Sequence, residues 1–373
     1  MMHQYILLNP GPVNVSPRVR QALLRADVCH REEEFSDVVA SIRAKLLQAF
    51  APQGYTAVVL SGSGTLAVEA MVSSALPEGE KLLVINNGVY GERMLRMAEA
   101  HRIPTVELRF GWTERPDLLQ VERVCAQDPA VGAIALVHHE TTTGLLNPVA
   151  QIGALARHMG KMLLVDSVSA LGSEEIDLDR DGVALCACTA NKCIQGLPGV
   201  AFVLVRADVM QRMHGYPRRS LYLHLPLHWE AQERHSIPFT PSVQAWYALD
   251  AALDELLEET VAGRIQRYRA AAQLLREGFR QLGVRPLLPT AYQSNSLTSL
   301  LLPEGVAYRY LHDALKVRGF VIYEGQGALQ TQIFRVANMG HLTLDDFRRF
   351  LAALGEVLNS ALTPDRYGRT RGL

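Results

Sequence analysis

The stretch Thr56–Leu76, TAVVLSGSGTLAVEAMVSSAL, contains two periodicities joined by a polar hinge. Thr56–Leu60 is an unbroken run rich in β-branched and aliphatic side chains, the pattern of a strand covered on both faces. After Ser61–Thr65, apolar residues return at helical spacing: Leu66, Ala67, Ala70, Met71. A strand that passes through serine and glycine straight into a helix is half of a βαβ unit. The same alternation extends in both directions. Further short apolar runs are KLLVI (81–85), TVELRF (105–110), AIALVHH (133–139), KMLLVDS (161–167), ALCACT (184–189) and VAFVLV (200–205). Helical periodicity marks SDVVASIRAKLLQAF (36–50), ERMLRMAEAHR (92–102) and IGALARHMG (152–160). Strands alternating with helices predict an α/β fold, a mainly parallel seven-stranded sheet sandwiched by helices. GLPG (196–199) is short enough for the strands on either side of it to pair antiparallel.

Beyond about residue 250 the pattern changes to two long amphipathic stretches (248–283), then SLTSLLL, a helix near 307–319, FVIYEG, IFRVANMG and a last helix over 343–362. The expected division is a large unit at 16–250 and a smaller C-terminal α+β unit at 251–362. Residues 1–15 are expected to pack near the smaller unit, and 363–373 to form a flexible polar tail.

Composition narrows the function classes. The chain has 373 residues, 48% of them hydrophobic, and a formal net charge of −1. Near-neutral charge gives no bulk attraction to nucleic acid or to a membrane surface, so any anion must be held by a local site. The cysteines Cys29, Cys125, Cys186, Cys188 and Cys193 are odd in number and lack metal-ligand spacing. Together with the absence of a signal-peptide pattern, they point to a reduced, cytoplasmic setting. No apolar run reaches the roughly 18 residues of a membrane span.

In open α/β sheets, ligands bind beyond the carboxyl ends of the strands. The segments expected there are SGSGTLA, NGVYGER, HHETTTG, DSVSA and TANKCIQG. Ser63, Gly64 and Thr65 open a helix with free N–H groups, which suits a phosphate or simply a capped turn. Asp166 ends a buried run, and a carboxylate there needs a cation or a helix-capping role. Lys192 is either the structural partner of Asp166 or an amine of lowered pKa that condenses with a carbonyl. In the second case Asp166 pairs with a pyridinium nitrogen and Tyr90 lies on an aromatic ring. Phosphate, pyridinium, aldehyde and ring face together describe pyridoxal phosphate. His138–Glu140, His224, His228 and His235 follow no metal-ligand grammar, so structural or substrate-lining roles are expected, and Cys193 reads as a buried neighbour of the lysine.

With these residues in view, the chain resembles the class V, fold-type I pyridoxal-phosphate aminotransferases, most nearly the 2-aminoethylphosphonate–pyruvate transaminases. The likeness runs from LLNPGPVNVS to FRVANMG and includes SGSGTLAVEA, NNGVYGERM, HHETTTGLLNP, VDSVSALG, TANKCIQGLPGVAFV, FTPSVQA and GFVIYEG. It implies that Lys192 holds the cofactor as a Schiff base and that Asp166 faces the ring nitrogen. It further implies that Ser63, Gly64 and Thr65 hold the phosphate, Tyr90 and Val168 cover the two ring faces, and Thr141 contacts the ring-oxygen side. Thr240 resembles a threonine that reaches the phosphate from a partner subunit, which implies a homodimer with shared sites. Arg335 resembles the arginine that grips the substrate's anionic group. The implied substrates are a small-molecule amino donor and a 2-oxo acid acceptor. One stretch departs from the pattern. DVCHREEEF (27–35) is reminiscent of relatives acting on serine, alanine and glyoxylate and of some biosynthetic phosphonate enzymes, with Arg31 a candidate second cation and Arg219 another. For Arg31 the alternative is an ion pair with the adjacent glutamates.

Overall fold

The computed structural model describes residues 5–51 and 53–362; the expected tail at 363–373 lies outside them. The large unit is built on seven strands: β1 (Tyr55–Gly62), β2 (Lys81–Asn86), β3 (Thr105–Arg109), β4 (Val131–Val137), β5 (Met162–Asp166), β6 (Val183–Thr189) and β7 (Gly199–Arg206). Their spatial order is β1-β7-β6-β5-β4-β2-β3. β7 runs antiparallel to both neighbours, and every other pairing is parallel. The seven-stranded, mainly parallel sheet read from the sequence is therefore present, with the GLPG turn where expected.

Both faces of the sheet are buried, which is why its strands read as continuous apolar runs. Ala57 and Val59 face one core while Val58 and Leu60 face the other. Along β7, Val200, Phe202 and Leu204 alternate in the same way with Ala201, Val203 and Val205. Helices Glu33–Phe50 and Val243–Glu259 cover the first face, and Gly64–Ser74 with Val89–Ala100 cover the second. Leu118–Gln127, which the alternation of runs did not reveal, starts where Asp117 accepts a hydrogen bond from Leu119 N at 3.0 Å.

The smaller unit has a three-stranded antiparallel sheet of β8 (Leu297–Leu301), β9 (Tyr323–Glu324) and β10 (Ile333–Ala337), with β10 central. Its own core gathers Leu275, Phe279, Leu311, Phe334, Phe350 and Leu354. Near the N-terminus, Ile6–Leu7 pairs in parallel with Phe320–Val321, and Leu8 enters that core. Helix Val243–Glu259 runs through residue 250, and Trp246 to Leu256 contribute to the large core. The change of core falls beyond Thr260, where φ is +66° between this helix and Val261–Gln281. No described helix is long and apolar enough to cross a membrane.

Candidate active site

Parallel strands with short right-handed connections bring their carboxyl ends to one rim. Gly62 ends β1 and Ser63 caps helix Gly64–Ser74, its side chain making no capping bond. The first-turn N–H groups of Gly64 and Thr65 have no intrahelical partner. Gly64 allows a close approach: a Cβ there would stand a tight 3.0 Å from both Val168 methyls and 3.1 Å from Thr189 Cβ. This close approach joins the helix start to the ends of β5 and β6. Thr189 in turn donates to Asn191 Oδ1 at 2.8 Å, so the residue before Lys192 is drawn toward the helix start.

Asp166, the last residue of β5, is buried and accepts from Val168 N at 3.0 Å. Burial raises its pKa to about 6, opposed by the Val168 N–H and by the charges of Lys192 and Arg93. Lys192 follows β6. Loss of water around its ammonium lowers its pKa to about 8, and nearby Asp166 does not reverse the shift. No described carboxylate lies within ion-pairing distance of Lys192. Its amine instead donates to the Pro10 carbonyl. The covering turn is sterically fixed, because Gly11 has φ of +98° and a Cβ there would sit 2.8 Å from Lys192 Cδ. NPGP thus lies directly on the lysine stem. The glycine between two prolines signalled the turn, but its place over the lysine depends on the parallel pairing of Ile6–Leu7 with the small unit.

Tyr90 starts helix Val89–Ala100. Its N–H donates to Glu140 Oε2 at 3.1 Å, and that carboxylate also accepts from Thr142 N at 3.2 Å. Glu140 fills the space left by Gly88, where a Cβ would meet it at 2.3 Å. One helical turn on, Arg93 lies 4.7 Å over the Tyr90 ring and donates to Thr65 Oγ1 at 3.4 Å. Arg93 was not singled out from the sequence. Its i, i+3 relation to Tyr90 was visible, but the contact with Thr65 comes from a different strand-helix unit.

Arg335, central in β10, is fully buried. Its Nε donates to Glu324 O and its Nη1 to Thr141 O, both at 2.8 Å, with Gln326 Oε1 at 3.3 Å. Nη2 is buried without a partner. Among the described residues no carboxylate pairs with this guanidinium; burial lowers its pKa, while Tyr90, Tyr323 and Glu140 support its charge. The Arg335 charge also depresses the Lys192 pKa. An unpartnered guanidinium nitrogen is fitted to an anion supplied from outside the chain.

Ser63, Gly64, Thr65, Tyr90, Thr141, Asp166, Val168, Lys192 and Arg335 are thus brought around one rim. Thr240 is exposed at its edge, two residues before Ser242, whose N–H donates to Ser61 Oγ at 3.2 Å. Arg31 is exposed in the turn before helix Glu33–Phe50, with no hydrogen bond or ion pair to a described residue, neither to Arg335's surroundings nor to Glu32–Glu34. Arg219 is engaged elsewhere: its Nη1 donates to the carbonyls of Ser73 and Leu76 at 3.2 and 2.8 Å, closing the C-terminus of helix Gly64–Ser74. It therefore supplies no second cation at Arg335. His138 and His139 are buried and kept neutral, with pKa values near 4 and 3 set by loss of water. His139 Nδ1 donates to Ser169 O at 3.2 Å, leaving Nε2 without a partner. Burial lifts the Cys193 thiol to about 11, which leaves it unreactive at neutral pH.

Residues 19–343 match the family model for class V aminotransferases. The chain belongs to that family. It is 40% identical over 95% of its length to 96% of the 2-aminoethylphosphonate–pyruvate transaminase of Syntrophobacter fumaroxidans. To the protein of the same name from Vibrio cholerae it is 37% identical, over 96% of this chain and 99% of that one. The solved alanine–glyoxylate aminotransferase of Nostoc sp. superposes with a TM-score of 0.90 at 27% identity, covering 96% of each chain. The class V aminotransferase fold and amino-transfer activity are thereby the properties of this chain.

Proposed function

We propose that this aminotransferase moves an amino group between 2-aminoethylphosphonate and pyruvate, using pyridoxal phosphate. The observation that carries the reading is Arg335, a buried guanidinium with a free Nη2 and no carboxylate of its own, in a chain whose Lys192 also has no described carboxylate partner. The relatives named for this reaction support the substrate choice.

The residues present fit the cofactor. The N–H groups of Gly64 and Thr65, with the Ser63 and Thr65 hydroxyls, would hold the phosphate at a helix start. Asp166 would face the pyridine nitrogen, Tyr90 and Val168 the two ring faces, and Thr141 the ring oxygen. Pyridoxal phosphate supplies an aldehyde for amines and an electron-withdrawing ring that acidifies the carbon bearing the transferred nitrogen. Lys192 contributes an amine that is partly neutral near pH 8, able to condense with that aldehyde and, when free, to take a proton from the carbon bearing the transferred nitrogen and return it on the other side of that nitrogen. Asp166 keeps negative charge next to the ring because a cationic partner lowers a carboxylate pKa raised by burial. Arg335 orients the substrate by its far anionic end, a phosphonate in one half-reaction and a carboxylate in the other. Tyr323 stacks on that guanidinium at 5.0 Å and limits its movement.

The same reading assigns Thr240 to a partner subunit's phosphate site, makes the enzyme a homodimer, and places it in the cytoplasm. Arg31 would join the substrate's far end only in that assembly. A second reading, transfer between alanine or serine and glyoxylate, is favoured by the single guanidinium at the cleft, which matches a carboxylate as well as a phosphonate. Presenting the cofactor-loaded enzyme separately with 2-aminoethylphosphonate, alanine, serine and glutamate tests both. Bleaching of the cofactor's visible band by the phosphonate and alanine is expected; response to alanine and serine but not to the phosphonate would transfer the assignment to the second reading.

A further inference from the structure

A second group of arginines lies away from the cleft. On helix Val261–Gln281, Arg269, Arg276 and Arg280 recur at spacings that place them on one helix face. With Arg285, Gln293 and Asn295 they line a cavity of about 660 Å³, whose lining includes a single carboxylate, Glu277. Two of the arginines have exposed acidic partners: Arg280 with Glu277 at 2.6 Å and Arg269 with Glu175 at 2.9 Å. The other two do not. Arg276 donates to Thr298 Oγ1 at 3.3 Å and to Ser294 O, and pairs with no described carboxylate. The Arg285 side chain makes no hydrogen bond or ion pair with a described residue.

The acid nearest in influence to Arg276 is Glu174, which accepts from Asn295 Nδ2 at 2.9 Å and not from the arginine, and whose pKa burial raises. Guanidiniums lining one cavity repel one another, and Arg276, partly withdrawn from solvent, is costly to hold there without an anion. We infer that this cavity binds a small organic phosphate or phosphonate dianion. A tetrahedral anion offers three oxygens, which match guanidiniums arriving from the cavity floor (Arg276) and from its rim (Arg280 and Arg285). A flat carboxylate is already satisfied by one fork. The site is behind the catalytic turn and not within it. Arg276 holds the carbonyl of Ser294, whose N–H donates to Gly144 O at 3.2 Å, at the end of Thr141–Gly144.

Calorimetric titration of the cofactor-loaded full chain with methylphosphonate, which has no amine to transfer, tests the inference at constant ionic strength. One event per chain should survive Arg335→Ala and weaken at least ~10-fold when the Arg280→Gln/Arg285→Gln double variant is built on that background, while the double variant with Arg335 intact keeps its turnover. Both rim arginines are exposed, so this double variant keeps the fold. Loss of all binding in Arg335→Ala, undiminished binding when the two rim substitutions are added to it, or equal competition by acetate would each overturn the proposal.

Discussion

Two arginines, Arg264 and Arg335, are equally withdrawn from solvent, yet their surroundings differ in the one respect that matters for function. Arg264 is satisfied within the chain: Nε pairs with Glu259, and Nη1 donates to the carbonyls of Cys193 and Ile194 at 3.1 and 3.4 Å. It ties the segment after Lys192 to the helix that leads into the small unit. Arg335 has two carbonyls and an amide oxygen, no carboxylate, and one nitrogen with nothing to bond. A buried cation with its own anion belongs to the frame; for one without an anion, the proposed role is to bind one.

This contrast can be broken by experiment. Arg264→Ala leaves two buried carbonyls unpaired and Glu259 with Arg267 alone, and should cost about 3 kcal/mol of stability in denaturant unfolding, with little change in turnover per folded molecule. Arg335→Ala should behave in the opposite way. It should lose ~10²-fold or more in kcat/KM for both amino donor and acceptor, about 3 kcal/mol, while unfolding at an unchanged or higher temperature. Equal stability losses in the two variants would erase the distinction.

Smaller effects sharpen it. Glu259→Gln leaves Arg264 its carbonyls but not its charge partner, and a loss of about 2 kcal/mol in unfolding free energy is expected. The lysine gives a pH test. Its pKa is lowered to about 8, so the neutral amine grows as pH rises through that value. Uptake of pyridoxal phosphate by cofactor-free protein should accelerate roughly 5-fold from pH 7 to 8 and level off above about 9. A rate still rising steeply beyond pH 10 would mean an unperturbed amine. Gln326→Ala, which removes the weakest of Arg335's partners, should change KM by about 2–3-fold with kcat retained.

The sheet was legible because each strand is buried on both faces and so reads as an apolar run, and because each run ends in a distinct polar segment. Lys192, Asp166, Tyr90 and Ser63–Thr65 could be listed as one rim on that basis alone. Three features were not legible. Gly11 over Lys192, and Arg93 between Tyr90 and Thr65, arise from contacts between segments whose register no local pattern sets. The third is the use of Arg219, whose sequence neighbourhood resembles a free cation while its position closes a helix end. The residue-250 boundary likewise looked like a change of pattern, because helix Val243–Glu259 is amphipathic like the helix after it but buries its apolar face in the large core.

The central claim is that Lys192, among the lysines of this chain, is the amine that holds the cofactor. Lys45 pairs with Asp250 and Asp254, and Lys81 with Asp128, whereas Lys161 and Lys316 lie outside the cleft. Borohydride reduction of the cofactor-loaded enzyme followed by peptide mass spectrometry tests this directly. The account predicts a stable pyridoxyl adduct on the peptide containing Lys192, absent in Lys192→Ala together with turnover. An adduct on another lysine, or turnover persisting in Lys192→Ala, would contradict it.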